Sequence, residues 1–111
     1  MTEVTYIPNE LKMIINGHAC YAQSGKDIVC AGISTLIFTL TAQLRRMGFE
    51  HYTDIDEREG FAMVQAKSEQ PERRHTCLVI FSTVYAGLEL LSEHYPEHVK
   101  IVREEIKCPC M

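Results

Sequence analysis

Apolar and polar residues along this chain recur with two different periods, which predicts both strands and helices. Alternation with a period of two, broken by turn residues, is typical of half-buried strands. Pro8-Asn9-Glu10 would close a first hairpin, and Glu59-Gly60 would close a second one. Residues 17–26 contain two glycines and small side chains and predict a loop. The predicted strands lie at residues 4–7, 11–16, 49–58, 60–68 and 99–106.

Two other stretches place apolar residues three or four positions apart, which predicts amphipathic helices. The first helix would begin at Ile28 after an Asp27 N-cap and end before Gly48, whereas the second would span residues 74–95. The predicted core-facing stripe of the first helix is Val29, Ile33, Leu36, Ile37, Leu40, Leu44 and Met47. That of the second helix is Cys77, Phe81, Val84, Leu88, Leu91 and Tyr95. The order β-β-α-β-β-α-β predicts an α+β fold, with both helices on one face of a mostly antiparallel sheet. We expect one two-layer domain over residues 1–106, followed by a tail at 107–111.

Composition narrows the class of protein. A chain of 111 residues fits one domain, and a net charge of −4 argues against a nucleic-acid binder, which needs a basic face. The longest apolar stretch, residues 28–44, is interrupted by polar residues, so we expect no membrane span. The N-terminal segment is polar and does not resemble a secretory signal, and the chain has five cysteines, an odd number. We therefore expect reduced thiols in the cytoplasm.

The candidate chemistry lies in one histidine and one cysteine. His18 precedes Cys30 by twelve positions, and Cys30 falls in the first turn of the predicted helix. A thiol near an imidazole and a helix N-terminus ionises more readily than a free one, and the thiolate is a nucleophile. Gly17 and Gly25 bracket the connecting segment and permit backbone shapes that would let His18 reach Cys30.

Structural roles remain open for the same residues. Most free cysteines are small buried hydrophobes, and a lone histidine is more often a hydrogen-bonding or surface residue. Ser34, one turn beyond Cys30, would either support the site or bond back to the helix backbone. The negative charge of Asp27 would oppose ionisation of the Cys30 thiol, but its side chain is expected to accept hydrogen bonds from the backbone N–H groups at the helix start. The remaining histidines are predicted to be solvated, and these are His51, His75, His94 and His98.

Zinc binding is the main rival chemistry. His18 and Cys20 together with Cys108 and Cys110 would supply four ligands. The C-x-C spacing is shorter than the usual zinc knuckle, and Pro109 stiffens it. We therefore expect no metal and no cofactor, and we expect Cys77 to pack in the core.

The run GHACYAQSGKDIVCAGISTL, residues 17–36, resembles the signature of the ribosomal-processing cysteine proteases, the Prp family. That signature is Gly-His-Ala, a glycine-containing loop and then Gly-x-Asp-Ile-Val-Cys-Ala, with a serine four positions after the cysteine. The resemblance implies that Cys30 is the nucleophile and His18 the general base, with Asp27 and Ser34 supporting the site. It also implies the β-β-α-β-β-α-β order over nearly the whole chain.

The resemblance further implies a substrate and an assembly. Family members remove the N-terminal extension of the ribosomal protein L27 precursor, cutting after a Phe-rich segment and before a small residue. Residues 19–26 resemble the family's mobile segment around the peptide, so Gly17, Ala19, Tyr21 and Gly25 become candidate substrate-loop residues. A homodimer is also implied. Two alternatives stay open: a phage homologue that processes a capsid or scaffold precursor, and a non-catalytic peptide-binding module.

Overall fold

A computed structural model of the protein describes residues 1–23 and 25–104, which contain two helices and five strands. The elements are β1 (Thr2–Ile7), β2 (Lys12–Asn16), α1 (Ile28–Arg46), β3 (Glu50–Asp56), β4 (Phe61–Lys67), α2 (Pro71–His94) and β5 (Val99–Arg103). The predicted order and the α+β class are confirmed. The second helix starts at Pro71 instead of residue 74, because proline fits the first helical turn, where an N–H has no helical partner.

The strands form one sheet in the order β3-β4-β2-β1-β5. Three neighbouring pairs are antiparallel, whereas β5 runs parallel to β1, with Thr2 opposite Val99 and Tyr6 opposite Arg103. The backbone N–H of Thr2 donates to the carbonyl of His98 at 2.9 Å, so the pairing starts just before β5. This parallel pair brings the end of the described chain beside its beginning.

The core lies between one face of the sheet and the two helices. Alternate strand residues such as Val4, Met13 and Val64 are fully buried, as strand geometry requires. In α1 the buried positions match the predicted stripe at all but two residues: Leu36 in mid-helix is only partly buried, and Met47 is 40% exposed because the helix ends at Arg46. By length and composition alone both helices would suffice to cross a membrane, a property shared by core helices of soluble proteins.

The two helices contact each other through a reciprocal glycine–leucine arrangement. A Cβ atom added to Gly32 of α1 would lie 3.4 Å from a methyl carbon of Leu91 on α2. A Cβ atom added to Gly87 of α2 would lie only 2.7 Å from a methyl carbon of Leu36 on α1. On each helix, a leucine of the other helix therefore packs against a glycine, and the packing is much tighter at Gly87.

Candidate active site

Asp27 joins the loop to the first helix. As predicted, it is the N-cap of α1: its Oδ1 accepts a hydrogen bond from the backbone N–H of Cys30 at 2.9 Å. Its Oδ2 accepts from the backbone N–H of Tyr21 at 2.9 Å and of Ala22 at 3.3 Å. Burial acts to raise the pKa of this carboxyl, but the hydrogen bonds outweigh burial and lower the pKa below its ordinary 3.8. One carboxylate thus fixes both the loop and the start of the helix.

Cys30 lies in the first turn of α1, half-buried and packed against the edge of the core. Burial raises the pKa of its thiol, and the negative charge of the nearby Asp27 carboxylate raises it further. Backbone N–H groups of Ala19 and Cys20 act in the opposite direction but do not prevail. The expectation of a readily ionised thiol is therefore wrong for this structure, because burial and the Asp27 charge oppose ionisation.

Several predicted site residues line one cavity of about 710 Å³. Cys30 and Ser34 line it from successive turns of α1, and His18 lies at its other side, after β2. The predicted residues that line this cavity are Gly17, His18, Gly25, Asp27, Cys30 and Ser34. The folded chain therefore brings the histidine and the cysteine to the same concave surface, as a shared catalytic site requires.

His18 is exposed, and its ring is held by the hairpin between β3 and β4. Its Nε2 lies 3.0 Å from the backbone carbonyl oxygen of Arg58. Gly60 of the same turn lies directly beside the imidazole. Within the described part of the chain no hydrogen bond joins His18 to Cys30. Local sequence patterns around His18 carry no sign of this turn, which is forty residues away along the chain.

Two candidate loop residues face away from the cavity. Ala19 is fully buried, and Tyr21 packs edge-on against Tyr95 and His98, with ring centroids 5.3 and 5.4 Å apart. His98 donates from Nδ1 to the carbonyl oxygen of Ala19 at 2.9 Å. The prediction that His98 is solvated is therefore wrong: it is half-buried and anchors the loop, because the parallel pairing of β5 brings it there.

The zinc alternative falls partly beyond the described residues. Cys20 is exposed and lines the cavity next to His18. Cys108 and Cys110 lie outside the residues that the structure describes. Cys77 is fully buried in α2, as predicted for a core residue.

Comparison with known proteins assigns this chain to a family. A sequence model of the family described as Cysteine protease Prp matches residues 1–100. The chain is 31% identical over 93 residues to the ribosomal processing cysteine protease Prp of Mycoplasma genitalium, covering 84% of this chain and 87% of that protein. It is 29% identical over 93 residues to the protein of the same name from Bacillus subtilis, covering 82% and 83%.

A solved structure shares the fold. The essential ribosomal processing protease Prp from S. aureus, in complex with a covalently linked product peptide, superimposes with a TM-score of 0.82 at 22% identity. The match covers 94% of this chain and all of that one. The two-helix, five-strand architecture is thus the architecture of this solved protease.

Proposed function

Because the chain belongs to the Prp family of cysteine proteases, we propose that it removes the N-terminal extension of the ribosomal protein L27 precursor with Cys30 as nucleophile and His18 as general base. The observation that carries this proposal is the shared cavity, which has Cys30 on one side and His18 on the other. Asp27 fixes the helix start that presents Cys30 and ties the loop to it. Ser34 would support the site from the next turn.

The chemistry requires a proton to move from Cys30 to His18. The thiolate sulfur then attacks the scissile carbonyl carbon, the C–N bond breaks, and the imidazolium returns its proton to the leaving amine. Water hydrolyses the resulting thioester and restores the thiol. In the structure the His18 ring donates to the carbonyl oxygen of Arg58 and no hydrogen bond joins it to Cys30 within the described residues, so the two groups must approach when a peptide enters the cavity.

The cavity wall supports an apolar peptide segment as substrate. Ile28 and Phe38 are 58% and 45% exposed at the cavity, and Ile55 and Phe61 line it from the sheet side. Exposed apolar side chains in a concave site gain free energy when a ligand covers them. A Phe-rich peptide segment matches this surface. The net charge of −4 favours encounter with a basic ribosomal protein.

Mass spectrometry of an L27 precursor incubated with the protein tests the proposal. We expect one cut near the N-terminus, and we expect Cys30→Ala and His18→Ala to abolish it. Cys20→Ala is the matched control, since Cys20 is an exposed thiol on the same cavity but not on the helix. Cleavage that survives Cys30→Ala would exclude the nucleophile assignment. Binding of the precursor without any cleavage by the wild-type protein would favour a peptide-binding module.

A further inference from the structure

The turn between β3 and β4 is attached to the backbone just before the candidate base and to the ring of the base itself. The β2–β4 ladder ends at the pair Asn16 and Phe61, and the next contact is a 2.8 Å hydrogen bond from the N–H of Gly17 to the carbonyl of Gly60. His18 follows at once, and its Nε2 lies 3.0 Å from the carbonyl oxygen of Arg58. Backbone and ring are thus both held by the same turn.

This contact determines which ring nitrogen carries the proton. A carbonyl oxygen only accepts hydrogen bonds, so Nε2 of His18 must be the donor. A neutral imidazole carries one N–H, which leaves the Nδ1 lone pair free to accept a proton. The turn therefore favours the ring form whose Nδ1 can accept a proton.

The turn leaves room for the ring only because residue 60 is glycine. A Cβ atom there would lie 3.0 Å from Nε2 and 3.1 Å from Cδ2 of His18, closer than such atoms normally approach. Gly60 also has φ +65°, in the left-handed region. Gly48 shares that conformation with φ +71°, yet a Cβ atom at Gly48 would meet nothing within 4 Å.

Asp56 fixes the path of the turn. Its Oδ1 accepts from the backbone N–H groups of Arg58 at 3.1 Å and Glu59 at 3.2 Å. A side chain that holds two successive N–H groups restricts the orientation of the peptide units between them. The carbonyl of Arg58 is therefore presented to the ring by a turn with its own internal hydrogen bonds.

We propose that the β3–β4 turn is the positioning element of the catalytic base: the Arg58 carbonyl holds His18 in its Nε2–H form so that Nδ1 removes the thiol proton of Cys30, and Gly60 provides the space that this arrangement needs. This inference rests on the proposed role of His18 as base. Asp56, Glu57 and Gly60 also line the cavity, but the proposed effect of the turn is transmitted by its contacts with the ring of His18.

Gly60→Ala and Gly48→Ala form a matched pair that tests the proposal. Both place alanine in the left-handed region, so both should lower the melting temperature. Gly60→Ala should lower it further, because its Cβ atom would also lie 3.0 Å from the backbone carbonyl carbon of Gly17 and from the ring of His18. Only Gly60→Ala displaces the ring, and we expect kcat/KM for the L27 precursor to fall about 100-fold, as for other small displacements of catalytic groups. Gly48→Ala should cleave like the wild-type protein. Equal activity losses in the two variants would overturn the proposal.

Nitrogen-15 NMR of the histidine rings provides a readout that needs no substrate. The neutral His18 ring of the wild-type protein should carry its proton on Nε2, and Gly60→Ala should shift the ring towards a mixture of the two forms. A wild-type ring with its proton on Nδ1 would overturn the positioning proposal whatever the substrate is. A protein that keeps the Nε2–H form but does not cut the L27 precursor would contradict only the substrate assignment.

Discussion

The glycine–leucine contacts between the helices make opposite predictions for two similar substitutions. Alanine in place of a mid-helix glycine stabilises a helix by about 0.5–1 kcal/mol. Gly32→Ala should retain this gain, since its new methyl group meets Leu91 at 3.4 Å, an ordinary contact distance. At Gly87 the methyl group would lie 2.7 Å from Leu36, and overpacking of this kind costs about 1–3 kcal/mol. Gly87→Ala should therefore destabilise the protein, by up to about 2.5 kcal/mol.

Denaturant unfolding of both variants measures these differences, and the melting temperatures should shift by about 4 °C for each kcal/mol. A second background isolates the cause. In a protein that carries Leu36→Ala, the atoms that the new methyl group meets are absent, so Gly87→Ala should become stabilising. If Gly87→Ala is as stable as Gly32→Ala, or if its effect is the same in both backgrounds, the steric argument is refuted.

Three further predictions concern the cavity and its carboxylate. Asp27→Asn should lower the pKa of the Cys30 thiol by removing a nearby negative charge, so that iodoacetamide alkylates Cys30 faster at neutral pH. Asp54→Asn, on an exposed strand position, should leave the rate unchanged. The folded-state pKa of Asp27 is lowered, so its ionised form stabilises the folded protein above pH 3.8. This contribution to the free energy of unfolding is lost as the pH falls through the folded-state pKa. Asp27→Asn should therefore make the stability against urea less sensitive to acid. Phe38→Ala should reduce kcat/KM for a Phe-rich peptide about 10-fold, or about 1.4 kcal/mol, whereas Val79→Ala, equally exposed on α2 but outside the cavity, should have no effect. Slower alkylation of Cys30 in Asp27→Asn would contradict the first prediction, and an unchanged response of its stability to acid would contradict the second. Equal effects of Phe38→Ala and Val79→Ala would contradict the third.

Features encoded by neighbouring residues were predictable from the sequence. The Asp27 cap, the start of α1 and the burial of Val29 and Ile33 follow from local spacing, because N-caps and helical stripes involve residues within a few positions of one another. The shared cavity of His18 and Cys30 was also predicted, although the pattern alone left a structural role open for both.

Features that depend on long-range pairing were not predictable. The ring of His18 contacts a turn forty residues away, and His98 reaches Ala19 only because β5 pairs in parallel with β1. The raised pKa of Cys30 has the same origin, since burial dominates it and burial depends on the whole fold. A helix-start position favours a thiolate, but the charge of the capping residue and the surrounding core decide the outcome here.

The position of Cys30, partly buried and next to the Asp27 cap, also bears on the chemical lifetime of the protein. Peroxides and other oxidants attack thiolates much faster than thiols, and repeated oxidation ends in irreversible sulfinic and sulfonic acids. Burial and the negative charge of Asp27 raise the pKa of the Cys30 thiol and so favour its protonated form, and we expect this to slow such oxidation in the resting protein. The start of α1 that would present Cys30 to a peptide thus also favours its reduced thiol in the resting protein.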